Sequence, residues 1–143
     1  MVFWFVLTFV IELYRMNGNM MFPGVRDGDL GIFYRLDKAY VNDIILYEAD
    51  GSLHVGRVVA YGTQTVDFPE SGGYMVNGYA PFEEVPYETF KGDAIEYPLY
   101  IPEGCVFVLN DFRSNLSDSR TYGIIEEDAI HGKLLFLLRR RNF

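Results

Sequence analysis

Cysteine is almost absent: Cys105 stands alone among 143 residues. One thiol forms no intramolecular disulfide, which excludes a disulfide-framework scaffold. Cys105 precedes the apolar run Val106-Phe107-Val108 and reads as a core residue, because a lone thiol nucleophile needs a base beside it. Histidine is nearly as scarce, with His54 and His131 only. With no cysteine cluster to join them, no zinc site and no other cofactor is expected. Positive charge is also short: 12 Lys and Arg face 20 Asp and Glu, a net charge of −8. Nucleic acid is therefore excluded as a main partner, since phosphate binding needs a basic surface. The acidic surface reads as ordinary solubility. The one basic cluster, Arg139-Arg140-Arg141, is too short to identify a ligand. Long apolar runs are missing as well. Residues 2–11 are apolar apart from Thr8 and carry Phe3, Trp4, Phe5 and Phe9. As a helix they reach about 15 Å, half of a bilayer core of about 30 Å. No basic residue precedes them and no small-residue cleavage site follows, so the segment reads as a poor signal peptide. It reads as the outer end of a membrane helix, with the natural chain expected to extend upstream, or as an interfacial anchor. A buried strand or core helix is the alternative.

What is present is a turn-rich apolar chain. Half the residues are apolar and 17% aromatic, with 14 Gly and six Pro, enough for one domain with one core. After Glu12, short apolar runs alternate with Gly, Asp, Asn and Pro at intervals of about ten residues, the signature of an all-β domain. Strands are predicted at Leu30–Tyr34, 43–47, 53–61, 106–109 and 133–138. Asp50-Gly51 and Asn77-Gly78 are hairpin turn signals, the second following Tyr74-Met75-Val76. Residues 85–96 read as a loop with a short strand. The aromatics of residues 79–100 read as core, with a membrane-facing surface as the alternative. No segment after the N-terminus holds a helical period for three turns. The division is an anchor at residues 1–12 and one β domain at 13–143, dominated by distant strand contacts and so slow to fold.

One stretch is more specific. Ile101-Pro102-Glu103-Gly104 leads to Asn110-Asp111-Phe112-Arg113, then Asp118-Ser119-Arg120, Gly123 and Gly132-Lys133. It resembles the last sequence box of type I signal peptidases, Gly-Asp-Asn-Arg-x-x-Ser-x-Asp-Ser-Arg-x-x-Gly and later Gly-Lys. Gly18-Asn19-Met20-Met21-Phe22-Pro23 with Gly28-Asp29 resembles the family's Gly-x-Ser-Met-x-Pro…Gly-Asp. Residues 42–47 resemble its Gly-Asp-Ile-Val-Val-Phe strand, Val55-Gly56-Arg57-Val58-Val59 its x-Lys-Arg-Val-Val strand, and Met75-Val76-Asn77-Gly78 a hairpin of the same fold. The match spans about residues 12–133. It implies a mainly β, signal-peptidase/LexA-like antiparallel sheet with a short N-terminal membrane-anchor remnant, at the extracytoplasmic face of the cell membrane.

The same resemblance implies chemistry that the residues contradict. The family cleaves signal peptides with a serine whose proton passes to a buried neutral lysine, itself held by a second serine. In register, the serine position is Met20, the lysine position Gly56 and the holding-serine position Leu116. A thioether carries no proton to lose, glycine offers no base, and leucine no hydrogen bond. A one-residue shift puts Asn19 at the nucleophile position, and an amide serves no better. The charged scaffold remains: Arg57, Arg113 and Arg120 are expected to pair with Asp111 and Asp118, with Ser119 beside them. The pattern is that of a pseudoenzyme whose peptide cleft persists between Tyr14, Met16, Asn17, Gly18 and Asn19 on one side and Leu53, His54, Val55 and Gly56 on the other. Space is expected at Gly56 unless Met20 or Leu116 fills it. Ser117 and Ser119 read as turn residues, Lys133, Lys38 and Lys91 as surface residues, and His54 as a strand histidine. Inactive relatives of this kind are associated with pilus assembly in Gram-positive bacteria, so the implied partners are a pilin or other secreted precursor and a sortase. An active peptidase with displaced residues is the alternative, and a membrane scaffold forming a homodimer is a third reading.

Overall fold

Local turn chemistry sets the register of the main sheet. Asp50 and Gly51 both adopt positive φ, 52° and 73°, the mirror-image turn that suits two twisted strands. They join the strand Ile44–Ala49 to the strand Ser52–Tyr61, so that Ala49 faces Ser52 and Ile45 faces Gly56. Asn77 and Gly78 repeat the geometry at φ 51° and 82°, and Val76 bridges Tyr79 across them.

The computed structural model describes residues 1–83 and 87–139. After α1 (Val2–Phe5) and a π-helical turn (Val6–Val10), the strands are β1 (Ile11–Arg15), β2 (Leu30–Tyr34), β3 (Ile44–Ala49), β4 (Ser52–Tyr61), β5 (Thr65–Asp67), β6 (Met75–Val76), β7 (Leu99–Tyr100), β8 (Cys105–Leu109), β9 (Ile125–Glu126) and β10 (Ile130–Leu138), with α2 (Ser119–Tyr122) between β8 and β9. One sheet runs β1-β2-β10-β3-β4-β8-β9 and a smaller one β6-β5-β7. Every pairing is antiparallel. Ile11 and Glu12, which the apolar run places with the anchor, pair instead with Tyr34 and Phe33 of β2. Part of the expected loop at 85–96 and Arg140 and Arg141 of the basic cluster lie outside the described residues.

Alternation along the strands divides the core. Met16, Met21, Val25, Phe33, Leu46 and Val55 pack on one side of the large sheet. Ile45, Tyr47, Val58, Val106, Val108 and Ile125 pack together in a second cluster. A third joins the two sheets through Val66, Phe68, Ile101, Phe107 and Leu109, and Cys105 is buried within it. Burial raises the Cys105 thiol pKa, reinforced by Glu126 and Glu127.

Two apolar surfaces stay outside this core. Leu13, Ile32 and Phe136 lie in register across β1, β2 and β10, followed by Arg15, Leu30 and Leu138. Leu13, Phe136 and Leu138 are exposed, as are Phe3, Trp4, Phe5 and Phe9 in the preceding segment. Among the described residues, no helix is long and apolar enough to cross a membrane. The aromatics of residues 79–100 divide, contrary to the core expectation. Tyr97 packs against Phe68 and Phe107, and burial pushes its pKa up to about 12. Tyr79, Phe82, Phe90 and Tyr100 are exposed.

Candidate functional site

At the end of β1 the chain turns through residues 16–29, and main-chain bonds fix that turn. Met16 N–H donates to the Asp29 carbonyl (2.7 Å), and Gly28 N–H donates to the Met16 carbonyl (2.9 Å). Gly18 N–H donates to Asp27 Oδ1 (2.7 Å), and Asp27 N–H to Asn19 Oδ1 (3.0 Å). The far side is tied to the last sequence box. Phe112 N–H donates to the Met20 carbonyl (2.9 Å), and Asp111 N–H to Met21 Sδ (3.3 Å).

β4 faces this turn with a half-open edge. Residues 52–56 pair with β3, but β8 joins β4 only from Arg57 onward. Between the turn and that edge lies a cavity of about 30 Å³ lined by Tyr14, Met16, Asn17, Gly18, Met20, Met21, Val25, Leu53, His54 and Val55. The sequence comparison anticipates Tyr14, Met16, Asn17, Gly18, Leu53, His54 and Val55. Met20, which the resemblance sets at the nucleophile position, lines it as well. Met21 and Val25 were not anticipated, because they reach the cavity through a loop without periodicity. Asn19 and Gly56 do not line it: Asn19 holds the turn, and Gly56 is buried within the sheet. His54 is fixed by a bond between Nε2 and the Ala49 carbonyl (3.1 Å) and lies between the rings of Tyr47 and Tyr122.

Of the three positions that the resemblance singles out, Met20 lines this cavity and Gly56 and Leu116 do not. A Cβ at Gly56 meets Val108 Cγ1 in overlap and the Tyr47 ring at 3.3 Å. The space beside Gly56 is thus filled by Val108 and Tyr47, not by Met20 or Leu116. Leu116 is exposed instead, its Cδ2 against Gly92. The Tyr47 hydroxyl is buried without a hydrogen-bond partner. Desolvation, with Asp118 and Tyr122 adding to it, raises its pKa far above the usual tyrosine range, so it is no base at neutral pH.

No lysine lines the cavity. Lys38 and Lys91 are exposed. Lys133 Nζ lies 2.7 Å from Asp37 and 3.7 Å from Asp43. The hydrogen bond to Asp37 raises its pKa, the opposite of what a general base requires. Ser119 is fully buried, and its hydroxyl accepts from Val108 N–H (2.9 Å). Ser117 takes part in the turn: its N–H donates to Asn115 Oδ1 (2.9 Å), and its carbonyl accepts from Asn110 Nδ2 (3.2 Å).

The charged scaffold holds this end of the molecule. Arg57 donates through Nε (2.8 Å) and Nη2 (2.7 Å) to both Asp111 oxygens, and that bond leads the causes raising the Arg57 pKa. Arg120 and Asp118, both fully buried, meet at 2.7 Å. Asp118 also caps α2 by accepting from Arg120 N–H and accepts from Asn110 N–H. Arg113 departs from the expected pairing with Asp111 or Asp118. Its guanidinium grips both Glu83 oxygens at 2.8 and 2.9 Å and Thr89 Oγ1 at 2.6 Å, while Nε donates to the Asn110 carbonyl. Asp111 and Asp118 are already taken by Arg57 and Arg120, so Arg113 pins the segment around Glu83 and Thr89 to the last box. Among the described residues, no group of His, Cys, Asp and Glu is arranged to hold a metal ion.

Residues 1–138 match the family described as signal peptidase, peptidase S26. The inactive signal peptidase IA of Staphylococcus aureus is 27% identical over 145 residues, covering 91% of this chain and 80% of its own. Signal peptidase IB of the same species is 27% identical over 151 residues, covering 90% of this chain and 78% of its own. In fold, the chain is similar to the crystal structure of a signal peptidase I from Enterococcus faecalis V583, with a TM-score of 0.57 and 22% identity, over 69% of this chain and 98% of that one.

Proposed function

The chain belongs to the signal peptidase S26 family, and from that premise we propose that it is a non-catalytic member which binds extended polypeptide in the cleft between the 16–21 turn and β4. One observation carries the reading: among the described residues no lysine borders the cleft, and the Ser119 hydroxyl, at the start of α2, already serves Val108. Acyl transfer needs a nucleophile and its base within hydrogen-bond reach. The inactive name of one relative is consistent with this. Signal peptidase IB, equally similar, favours the opposite reading of an active peptidase. The local residues weigh against that second reading, because Met20, Gly56 and Leu116 lack the required groups.

Binding would use the unpaired edge of residues 52–56, to which an extended chain adds as a strand while one side chain enters the cavity. The exposed face of Leu13, Phe136 and Leu138, with the aromatics at residues 3–9, would seat the domain on a membrane surface. There, at the extracytoplasmic face, it would act as an assembly factor or chaperone for a secreted or pilin precursor, beside a sortase. The test is calorimetric titration and site-directed cross-linking with pilin segments and the mature ends of secreted precursors. Saturable binding that cross-links through position 54 or 17 supports the proposal. Absence of binding to any of them removes it.

A further inference from the structure

Resting on the polypeptide-binding reading, we propose that Met20 is a movable wall that sets the size of the apolar side chain the cleft accepts. The cavity volume, about 30 Å³, has room for about two or three waters and falls well short of the ~150 Å³ that takes a benzene ring. A larger side chain enters only if a wall yields. Val25 and Val55 are buried and stiff at χ1. Met16 is buried and packs between Gly31 and the Phe33 neighbourhood, where its methyl lies 2.8 Å from the position of an added Gly31 Cβ. Met21 is buried, and its sulfur accepts the Asp111 N–H. His54 is held by the Ala49 carbonyl and two rings.

Met20 differs from the other two thioethers. It is partly exposed, its sulfur takes no hydrogen bond among the described residues, and its methyl lies 3.6 Å from the position of an added Gly18 Cβ. Only its main chain is anchored, through the carbonyl that accepts from Phe112. An unbranched thioether with three rotatable bonds adapts to irregular neighbours. With Met20 swung inward the cleft takes alanine. With it swung toward solvent the cleft takes leucine or phenylalanine.

The test uses the whole chain and fluorescein-labelled nine-residue peptides, Ser-Thr-Val-Thr-Xaa-Thr-Val-Thr-Ser, with Xaa as Ala, Leu or Phe. Fluorescence anisotropy is compared for wild type, Met20→Ala and Met20→Ile. Isoleucine keeps the bulk but locks χ1. Wild type and Met20→Ala accept all three peptides, whereas Met20→Ile loses Leu and Phe about tenfold relative to Ala. In parallel, methyl-¹³C methionine spectra of wild type resolve five methyls, one for each Met. Met20 should give a narrow, rotamer-averaged line, and Met16 and Met21 immobilised ones. Peptide binding with Leu:Ala and Phe:Ala ratios equal across the three proteins overturns the movable wall alone, as does a Met20 methyl as rigid as Met16. No binding of any peptide to any of the proteins, with Met20 mobile, overturns the polypeptide-binding reading and the wall's role with it.

Discussion

Replacing Gly56 by alanine adds one methyl group where Val108 and Tyr47 already stand. The added Cβ overlaps Val108 Cγ1 and lies 3.3 Å from the Tyr47 ring and 3.6 Å from the Leu109 carbonyl. Val108 and Tyr47 are fully buried, so neither has room to retreat. Overpacking of this kind costs about 1–3 kcal/mol. Removing glycine from a strand returns about 0.5–1 kcal/mol of backbone entropy. The net expectation is a loss of about 1–2 kcal/mol, read as a lower urea midpoint with unchanged slope. Val108→Ala alone should cost about 2 kcal/mol through the cavity it leaves. In the Gly56→Ala background the same truncation removes the overlap and should cost less, with a coupling of about 1 kcal/mol. A Gly56→Ala protein as stable as wild type, or additive single mutants, would refute the claim that Val108 and Tyr47 fill the space beside Gly56. The corollary concerns repair. Met20→Ser, Gly56→Lys and Leu116→Ser together should not restore a catalytic pair, because the lysine stem has nowhere to lie and position 116 faces outward.

Four further expectations follow from the scaffold. Arg113→Met should cost about 3–5 kcal/mol by leaving Glu83 without its buried partner, and a double-mutant cycle should find coupling with Glu83→Gln but little with Asp118→Asn. Gly51→Ala should cost about 1 kcal/mol in urea titration, because position 51 holds φ 73°. Cys105 should resist iodoacetamide at pH 8 in the native state and react fully in guanidinium, since burial both hides the thiol and raises its pKa. For the Lys133–Asp37 pair the sign is set by Asp37, whose pKa is lowered from 3.8 chiefly by Lys133. Its contribution is present above pH 3.8 and lost as pH falls through the lowered value, so the stability difference between wild type and Lys133→Met, measured by urea titration across pH, should vanish in acid. Lys133, with its pKa raised from 10.5, loses the same contribution as pH climbs through its raised value.

The parts of the fold written in local chemistry were legible. β2 ends where its apolar run ends, and the Asp-Gly and Asn-Gly turns require positive φ whatever surrounds them. β5, β7 and β9, two or three residues each, are too short for alternation to declare itself. β1 was obscured because its alternating residues continue an aromatic run. Within the site, seven of the nine expected cleft residues line the cavity because β1 runs on into the turn that faces the β4 edge. What sequence spacing could not convey was non-local. Val108 with Tyr47 as the filling at Gly56 depends on register between strands, while Glu83 as the partner of Arg113, 30 positions away, and the exposure of Leu116, where motif order suggested an inward side chain, depend on how loops pack.

The most direct measurement is incubation of the purified chain in detergent micelles with a secreted precursor carrying its signal peptide, followed by mass spectrometry for the processed product. A non-catalytic binder leaves the precursor intact over hours while still cross-linking to it. Appearance of the mature fragment, abolished by Ser117→Ala or Ser119→Ala, would contradict the claim that this family member lacks a working nucleophile and base.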